Sequence, residues 1–396
     1  MVEQNEAVIV STARTPIATA FKGSLVEVDA FELGRLAVSE AVSRSGIDPE
    51  RFDDVQLAES LYGGGDIARY AAIEAGMVRV PGVAQNRHCA SGLATVASAA
   101  GSIMAGMDEV IIAGGTQATS SMPLANRVNP ATGEMEEMWL SPSHPETPET
   151  PARDMTVTVG WNTARLTGIT REEMDAWALR SHERAVAGID SGAFTEEIFA
   201  VEASKAGEKF TFSVDEHPRR GTDMEKLAAL KPMHPEIDGF SITAGNSSGV
   251  NDASAAVAIT SAAFAEREGI EPMAVIRSWA SVGVDPLETG LAPTIAIPRA
   301  LERAGMGMGD VDLFEINEAF ASVPIAAVRK LGLDEEIVNP LGSGCSLGHP
   351  IATTGTRMVI TLIHELRRRG GGTAVAAMCA GGGMGSAVVF DVPAPG

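Results

Sequence analysis

The sequence predicts an α/β protein assembled from two copies of one unit. Three observations carry that expectation. The 42 glycines do not form a tract; many cluster behind apolar runs, as at Gly114-Gly115 and Gly381 to Gly383, the pattern of tight strand-to-helix connections. Residues 41–59, AVSRSGIDPERFDDVQLAE, and residues 300–315, ALERAGMGMGDVDLFE, read alike. Each closes an amphipathic helix, stops at glycine, and runs through Asp-Val-x-Leu-x-Glu into an apolar strand. The likeness then continues, in the same order, through a further helix and strand.

The first helix carries Leu33, Leu36, Ala37 and Ala41 on one face, and its counterpart carries Ile297, Ala300, Leu301 and Ala304. Both follow the i, i+3, i+4 spacing of a half-buried helix. After Cys89, an apolar stripe of Leu93, Val96, Ala97, Ala100, Ile103 and Met104 leads to MDEVIIAGG, which reads as a buried strand. In the second copy, Gly348-His349-Pro350 precedes a helix with Val359, Leu362, Ile363 and Leu366, and GGTAVAAMCAGG is the matching strand. Two such copies would pack as a pseudo-twofold pair with equivalent helix starts facing a shared centre. Between them the pattern breaks. Pro142, Pro145, Pro148 and Pro151 recur at every third position, which favours an extended surface segment. Thr170 and Glu173 are spaced as a capping box opening a helix, and a shorter helix is expected near residues 225–230. The expected organisation is a first half over residues 1–120 plus 245–270, an inserted loop or lid domain over 121–244, and a second half over 271–396.

With 45% hydrophobic but only 5% aromatic residues, the core must be built from Ala, Val, Ile, Leu and Met. A formal net charge of -22 excludes nucleic acid as a partner, since that demands clustered Lys and Arg. An anionic ligand would need local positive charge. The N-terminal MVEQNEAVIV has no basic region and no long apolar run, so no export signal is read. No apolar stretch is long enough to span a bilayer. Cys89, Cys345 and Cys379 are an odd set without CxxC spacing, so neither a disulfide framework nor a metal site is expected. Reduced thiols in a cytoplasmic protein are.

Five short motifs sit where strands or loops give way to turns and helices. CASG places the Cys89 thiol at a helix N-terminus, where exposed N–H groups and the helix dipole favour a thiolate. INEAF offers an amide and a carboxylate, LGHP an imidazole before a helix whose start Pro350 fixes, and MCAGGGMG a second thiol ahead of glycines. TAGNSSGVNDASAA is a polar, small-residue turn before an apolar run. Each has a plain reading as well: Cys379 as filler between alanines, His349 as a helix cap. Cys345 has no activating neighbour and reads as structural, and His88 reads as a bystander because chain neighbours need not face one another. GGGMG lacks the Gly-Lys-Ser/Thr of a phosphate loop.

Taken in order, NRHCASGL, GNSSGVNDAS, INEAFA, GHP and CAGGGMG resemble the thiolase family, over essentially the whole chain. The resemblance implies a thiolase-like fold: two α/β halves, each a mixed five-stranded sheet flanked by helices, with a loop domain inserted in the first. It also implies roles. Cys89 is the nucleophile that takes an acyl group from a thioester, and His349 removes its proton. Cys379 is the general acid and base at the C2 carbon. Asn317 holds a water that joins His349 around the enolate oxygen, while backbone N–H groups of Cys89 and Gly381 receive the acyl-enzyme oxygen. Ser248 contacts the pantetheine arm of coenzyme A, and Arg219, assisted by Arg220, lies near its phosphates. Coenzyme A is then a substrate, with no prosthetic group, and the family's habit implies a homodimer or a homotetramer built as a pair of dimers.

Some positions depart from the family. Thr158-Val159-Gly160-Trp161-Asn162-Thr163-Ala164-Arg165 stands where biosynthetic members carry His-Met-Gly leading into Thr-Ala-Glu-Asn, and Ile351-Ala352 replaces Ile-Gly. These changes leave the acyl pocket open to question, with Trp161 either narrowing it or stacking outside. They tilt the expected activity toward ping-pong thiolysis of a longer or branched 3-ketoacyl-CoA, over the joining of two acetyl-CoA units. A ketoacyl synthase uses a Cys-His-His or Cys-His-Asn set, so Cys379 and NEAF count against it. A non-catalytic acyl-CoA-binding subunit has no need of two thiols and an imidazole at such turns.

Overall fold

The structure, a computed structural model, describes residues 6–61 and 65–395. The chain opens with β1 (Ala7–Arg14), β2 (Ala18–Thr19), α1 (Ala30–Ser45), β3 (Asp54–Ala58), α2 (Ile67–Glu74), β4 (Gly82–Gln85), α3 (Ser91–Met104) and β5 (Val110–Ala118). It then leaves the sheet. A hairpin of β6 (Arg127–Val128) and β7 (Met135–Glu136) precedes a π-helical turn, Thr156–Trp161, that continues into α4 (Asn162–Thr167). Next come α5 (Arg171–Asp190), the hairpin β8 (Val201–Lys205) and β9 (Glu208–Phe212), and α6 (Met224–Ala228). β10 (Asn251–Ser261) returns to the sheet and α7 (Ala262–Glu268) follows. The remainder is β11 (Ala274–Gly283), α8 (Pro293–Ala304), β12 (Leu313–Ile316), α9 (Ser322–Leu331), α10 (Gly344–Leu347), α11 (Thr354–Arg369), β13 (Gly372–Ala380) and β14 (Met384–Val392).

Local chemistry sets these limits. Asp29 caps α1 by accepting from the N–H of Glu32, and Gly46, at φ 69°, stops it. Its counterpart α8 stops at Gly305, at φ 71°. Thr170 and Glu173 form the capping box that opens α5. α11 begins at Thr354, a turn later than Pro350, because the N–H groups of Thr353 and Thr354 both bond the Pro350 carbonyl first.

The sheet runs β12-β13-β14-β11-β1-β10-β5-β3-β4, with β2 beside β10. Read from its two outer edges inward, the halves match: a parallel pair, then antiparallel neighbours. The first half holds five strands. The second holds four, and a single parallel bridge between Phe314 and Val338 occupies the fifth place. The halves join edge to edge where β1 pairs antiparallel with β11 through Ala7, Val8 and Ile9. That pairing satisfies two edges that would otherwise offer bare N–H and C=O groups.

β1, β5 and β10 are buried along their whole length, as strands covered on both faces must be. Along β5, Val110 and Ile112 face the cluster of α1 and α2, while Ile111 and Ala113 face α3. Along β13, Val375 and Ala377 face α8 and α9, while Ala376 and Met378 face α11. Thus α3 and α11 share one apolar cluster with strands of both halves. No helix among the described residues is long and apolar enough to cross a membrane.

α3 and α11 cross at Gly92 and Gly355. A Cβ on Gly92 would lie 2.8 Å from the Thr356 nitrogen, and one on Gly355 would strike the backbone of Gly92 and Leu93. Backbone cannot yield as a side chain would. Gly355→Ala is therefore expected to cost roughly 1–3 kcal/mol, the usual range for overpacking. Denaturant unfolding measures this, and a variant as stable as wild type would show that the crossing tolerates a methyl group.

Candidate active site

Cys89 lies on the connection between β4 and α3, two residues before the helix begins. His88 just ahead of it adopts φ 47°, a left-handed conformation costing on the order of 1 kcal/mol for such a residue. Four bonds hold the turn. His88 N–H donates to Asn86 Oδ1 at 2.8 Å, and Arg87 N–H donates to Ser91 Oγ at 2.7 Å. The His88 carbonyl accepts from Ser91 Oγ at 2.6 Å and from Ser91 N–H at 3.1 Å. The His88 ring lies near His144.

Cys89 is half-buried as a residue, but its thiol is turned inward and is faced by the backbone N–H groups of Gly381 and of Cys89 itself. Those donors favour the thiolate, but burial outweighs them and pushes the thiol pKa up. The thiolate expected from the helix N-terminus is therefore not the resting state. Desolvation penalises the charge more than the helix end rewards it.

Cys379, next to last in β13, is 2% exposed, and its pKa is pushed up by burial and then by the nearby Cys89. The turn after it needs glycine. Gly382 has φ 83°, and a Cβ there would lie 2.7 Å from the Ser143 carbonyl oxygen. The Pro-rich segment thus packs directly on this turn, and Met155 Sδ lies 3.5 Å from where a Gly381 Cβ would be. Trp161 packs against Phe240, their ring centroids 5.4 Å apart. Cys345 is buried, and its N–H donates to Glu318 Oε2 at 3.1 Å.

His349 follows Gly348, and its N–H donates to Asn251 Oδ1 at 2.9 Å. Its Nδ1 lies 2.7 Å from Thr354 Oγ, while the Thr354 hydroxyl donates to the Pro350 carbonyl at 2.7 Å. The hydroxyl proton being used, Oγ accepts from Nδ1–H, which assigns the tautomer and leaves the Nε2 lone pair as the base. Burial, with help from the Arg357 charge, lowers the His349 pKa to about 3, so the imidazole is neutral. Arg357 is itself fully buried in a pair with Glu315. Asn317 Nδ2 lies 3.4 and 3.5 Å from the two ring nitrogens. The buried Asn317 Oδ1 has no hydrogen-bond partner among the described residues.

The candidate coenzyme A contacts lie at the edge of the inserted segment. Ser248 is half-buried, with its N–H bonded to the Ala319 carbonyl at 2.9 Å. His217 packs against Gly249, so its loop runs beside Ser248. That loop carries Arg219 and Arg220, both exposed. Arg220 is engaged by Asp190 at 2.8 Å, which limits it as a phosphate ligand. The Arg219 guanidinium has no partner among the described residues. Both line a cavity of about 270 Å³ with His182, Glu183 and Thr222.

The structure therefore brings Cys89, Cys379 and Gly381 together, and Asn317 with His349. No hydrogen bond joins Cys89 to His349 among the described residues; such bonds commonly tighten only with substrate bound. Sequence reasoning gave no role to Asn251 or Thr354. Asn251 stood inside the quoted GNSSGVNDAS and Thr354 five residues after His349, but nothing along the chain shows that either holds the imidazole.

Comparison with known proteins identifies one family across the chain. The profile of the thiolase N-terminal domain matches residues 7–263, and that of the thiolase C-terminal domain matches residues 270–392. The chain is 40% identical to a 3-ketoacyl-CoA thiolase of Bacillus subtilis, covering 98% of this chain and 99% of that protein. It is also 40% identical to an acetyl-CoA acetyltransferase of Syntrophomonas wolfei, over 98% of this chain and 99% of that one. Human mitochondrial 3-ketoacyl-CoA thiolase in complex with CoA superposes with a TM-score of 0.89 at 34% identity, covering 98% of both chains.

A neutral thiol at Cys89 and a neutral imidazole at His349 have a measurable signature. Alkylation of Cys89 by iodoacetamide is expected to accelerate from about pH 6 to beyond about pH 9, the rate following a thiol pKa above its ordinary value. His349, protonating only near pH 3, should add no inflection in that window. A rate plateau below about pH 8 would mean a resting thiolate–imidazolium pair and would overturn this assignment.

Proposed function

The chain belongs to the thiolase family, and on that premise we propose that it transfers acyl groups between coenzyme A thioesters through an acyl-Cys89 intermediate. One observation carries the reading: the Cys89 sulfur is faced by the N–H groups of Gly381 and Cys89 and neighbours a second buried thiol.

In the thiolysis direction, His349 Nε2 takes the Cys89 proton as the sulfur attacks the C3 carbonyl of a 3-ketoacyl-CoA. The oxygen of the resulting acyl-enzyme lies toward the two N–H donors, which need no reorganisation. The C2–C3 bond breaks, its electron pair moves to C2, and the enolate oxygen develops charge beside His349 and Asn317, whose buried Oδ1 suits a bridging water. Cys379 gives its proton to C2, releasing acetyl-CoA. Its high pKa keeps this thiol protonated until then. The Cys379 thiolate next takes the proton of incoming coenzyme A, whose sulfur attacks the acyl group. Cys89 leaves and recovers its proton from His349. Every proton removed is returned. Ser248 and Arg219 would guide the pantetheine arm and the phosphates, with local charge offsetting a net charge of -22.

The substrate we favour is a longer or branched 3-ketoacyl-CoA, because residues 158–165 and the Pro-rich segment before them depart from the biosynthetic pattern, and Ser143 and Met155 pack on the glycine turn. The second reading, an acetyl-CoA acetyltransferase, draws on relatives bearing that name. Three unpaired cysteines suit a reducing cytoplasm.

We also propose a homodimer, or a tetramer made of two. β4 is the outermost strand of its half, and Val83 on it is exposed, as are Phe31, Tyr70 and Ile73. A bare edge with apolar neighbours is a pairing surface. A monomer by light scattering would refute this.

Intact-protein mass after incubation with acetoacetyl-CoA should show an acyl adduct in wild type and none in Cys89→Ala. Across a chain-length series, kcat/KM is expected to peak on longer or branched substrates, by about tenfold over acetoacetyl-CoA. A peak on acetoacetyl-CoA would install the acetyltransferase reading. Neither adduct nor thiolysis with any member would leave a binding subunit.

A further inference from the structure

INEAF supplies a carboxylate that the chemistry above does not use. Glu318 is fully buried, and no Lys or Arg forms an ion pair with it among the described residues. Its Oε1 accepts from Trp177 Nε1 at 2.8 Å and from Asn339 Nδ2 at 2.8 Å. Its Oε2 accepts from Ser181 Oγ at 2.6 Å and from Cys345 N–H at 3.1 Å. Four donors thus meet the four acceptor sites of one carboxylate.

The donors come from three separate places. Trp177 and Ser181 lie on α5, in the segment inserted within the first half. Asn339 stitches the other side of Asn317 as well, through Ile316 N–H at 2.8 Å and the Ile316 carbonyl at 2.9 Å. Cys345 sits in α10, four residues before His349. Its neighbour Gly344 approaches so closely that a Cβ there would lie 2.8 Å from Asn317 Oδ1. The Trp177 ring is covered by the Arg180 guanidinium, 4.0 Å from its centroid, a cation–π contact that leaves the indole N–H a stronger donor.

We propose that Glu318 is a positioning residue for catalysis, fixing the Asn317 amide beside the His349 imidazole and locking α5 onto the catalytic centre. The inference rests on the acyl-Cys89 reading. A residue needed only for packing would not be a buried carboxylate, which is costly unless fully bonded. A glutamine cannot replace it, since its amide nitrogen would point donors at the Cys345 N–H.

Glu318→Gln tests this in the full chain. Asn317 serves the enolate, not the capture of the acyl group. The acyl-Cys89 adduct should therefore form from acetyl-CoA as in wild type, with KM for coenzyme A unchanged. Turnover should fall on the order of 10- to 100-fold, as for a misplaced catalytic group. The loss should not multiply in the double variant with Asn317→Ala, because the two act through one interaction. Trp177→Phe, which removes one donor and keeps the carboxylate, should show the same split with a smaller loss, about threefold to tenfold. Turnover within twofold of wild type in both variants, or a loss that multiplies with Asn317→Ala, would overturn the proposal. So would adduct formation falling in parallel with turnover. Absence of an adduct in wild type would instead sink the acyl-Cys89 reading, and this proposal with it.

Discussion

The crossing of α3 and α11 at Gly92 and Gly355 is the contact on which the rest depends. Here the two halves touch backbone to backbone, and the contact reaches the sheet. The Ala352 carbonyl lies against both Gly92 and Gly115, and Thr356 Oγ donates to the Gly92 carbonyl at 3.2 Å. Cys89 stands three residues before one glycine and His349 six before the other. Helices held apart by ordinary side chains would separate by some 8–10 Å between axes. Two glycines facing each other bring them closer, and with them the turns that carry Cys89 and His349. Duplication supplied two similar units; glycine at the crossing makes them one site.

The site that results is electrically quiet at rest. Cys89 and Cys379 are thiols, held so by burial, and His349 is neutral. The charges nearby are committed elsewhere: Arg357 to Glu315, and Glu318 to four hydrogen-bond donors. Charge then appears only with substrate, where Gly381 and Cys89 already aim their N–H groups. Such donors stabilise developing charge without reorganising, and a dry site strengthens them.

Much of this was legible in the sequence, for physical reasons. Helix periods and their stops at Gly46 and Gly305 are local, as is the capping box of Thr170 and Glu173. The motifs carrying Cys89, Asn317, His349 and Cys379 lie where strands or loops give way to turns, and it was their order along the chain, through the family resemblance, that assigned their roles. What stayed hidden is tertiary. Asn251 reaches His349 across 98 positions, and Trp177 reaches Glu318 across 141; no periodicity reports such pairs. The fusion of the halves through β1 and β11 hides in strands that read the same alone or paired. The protonation of Cys89 depends on desolvation, which outweighs the helix terminus that the sequence does show.

The Pro-rich segment illustrates how a local pattern takes its meaning from what it touches. Its prolines predict stiffness, and the structure shows what the stiffness is fastened to. His144 Nε2 pairs with the Thr150 carbonyl at 3.0 Å, Arg153 with the Leu140 carbonyl at 2.9 Å, and Asn162 Nδ2 with the Glu149 carbonyl at 2.8 Å. These bonds close the segment on itself, and Ser143 rests on Gly382. The π-helical turn that follows brings Met155 to the same place, next to Gly381. Shape beside the Gly381 turn is thus set by a bonded backbone, which costs little entropy to hold because proline has already restricted it. The same economy governs the catalytic turns themselves, where glycine grants close approach and fixed N–H groups do the rest.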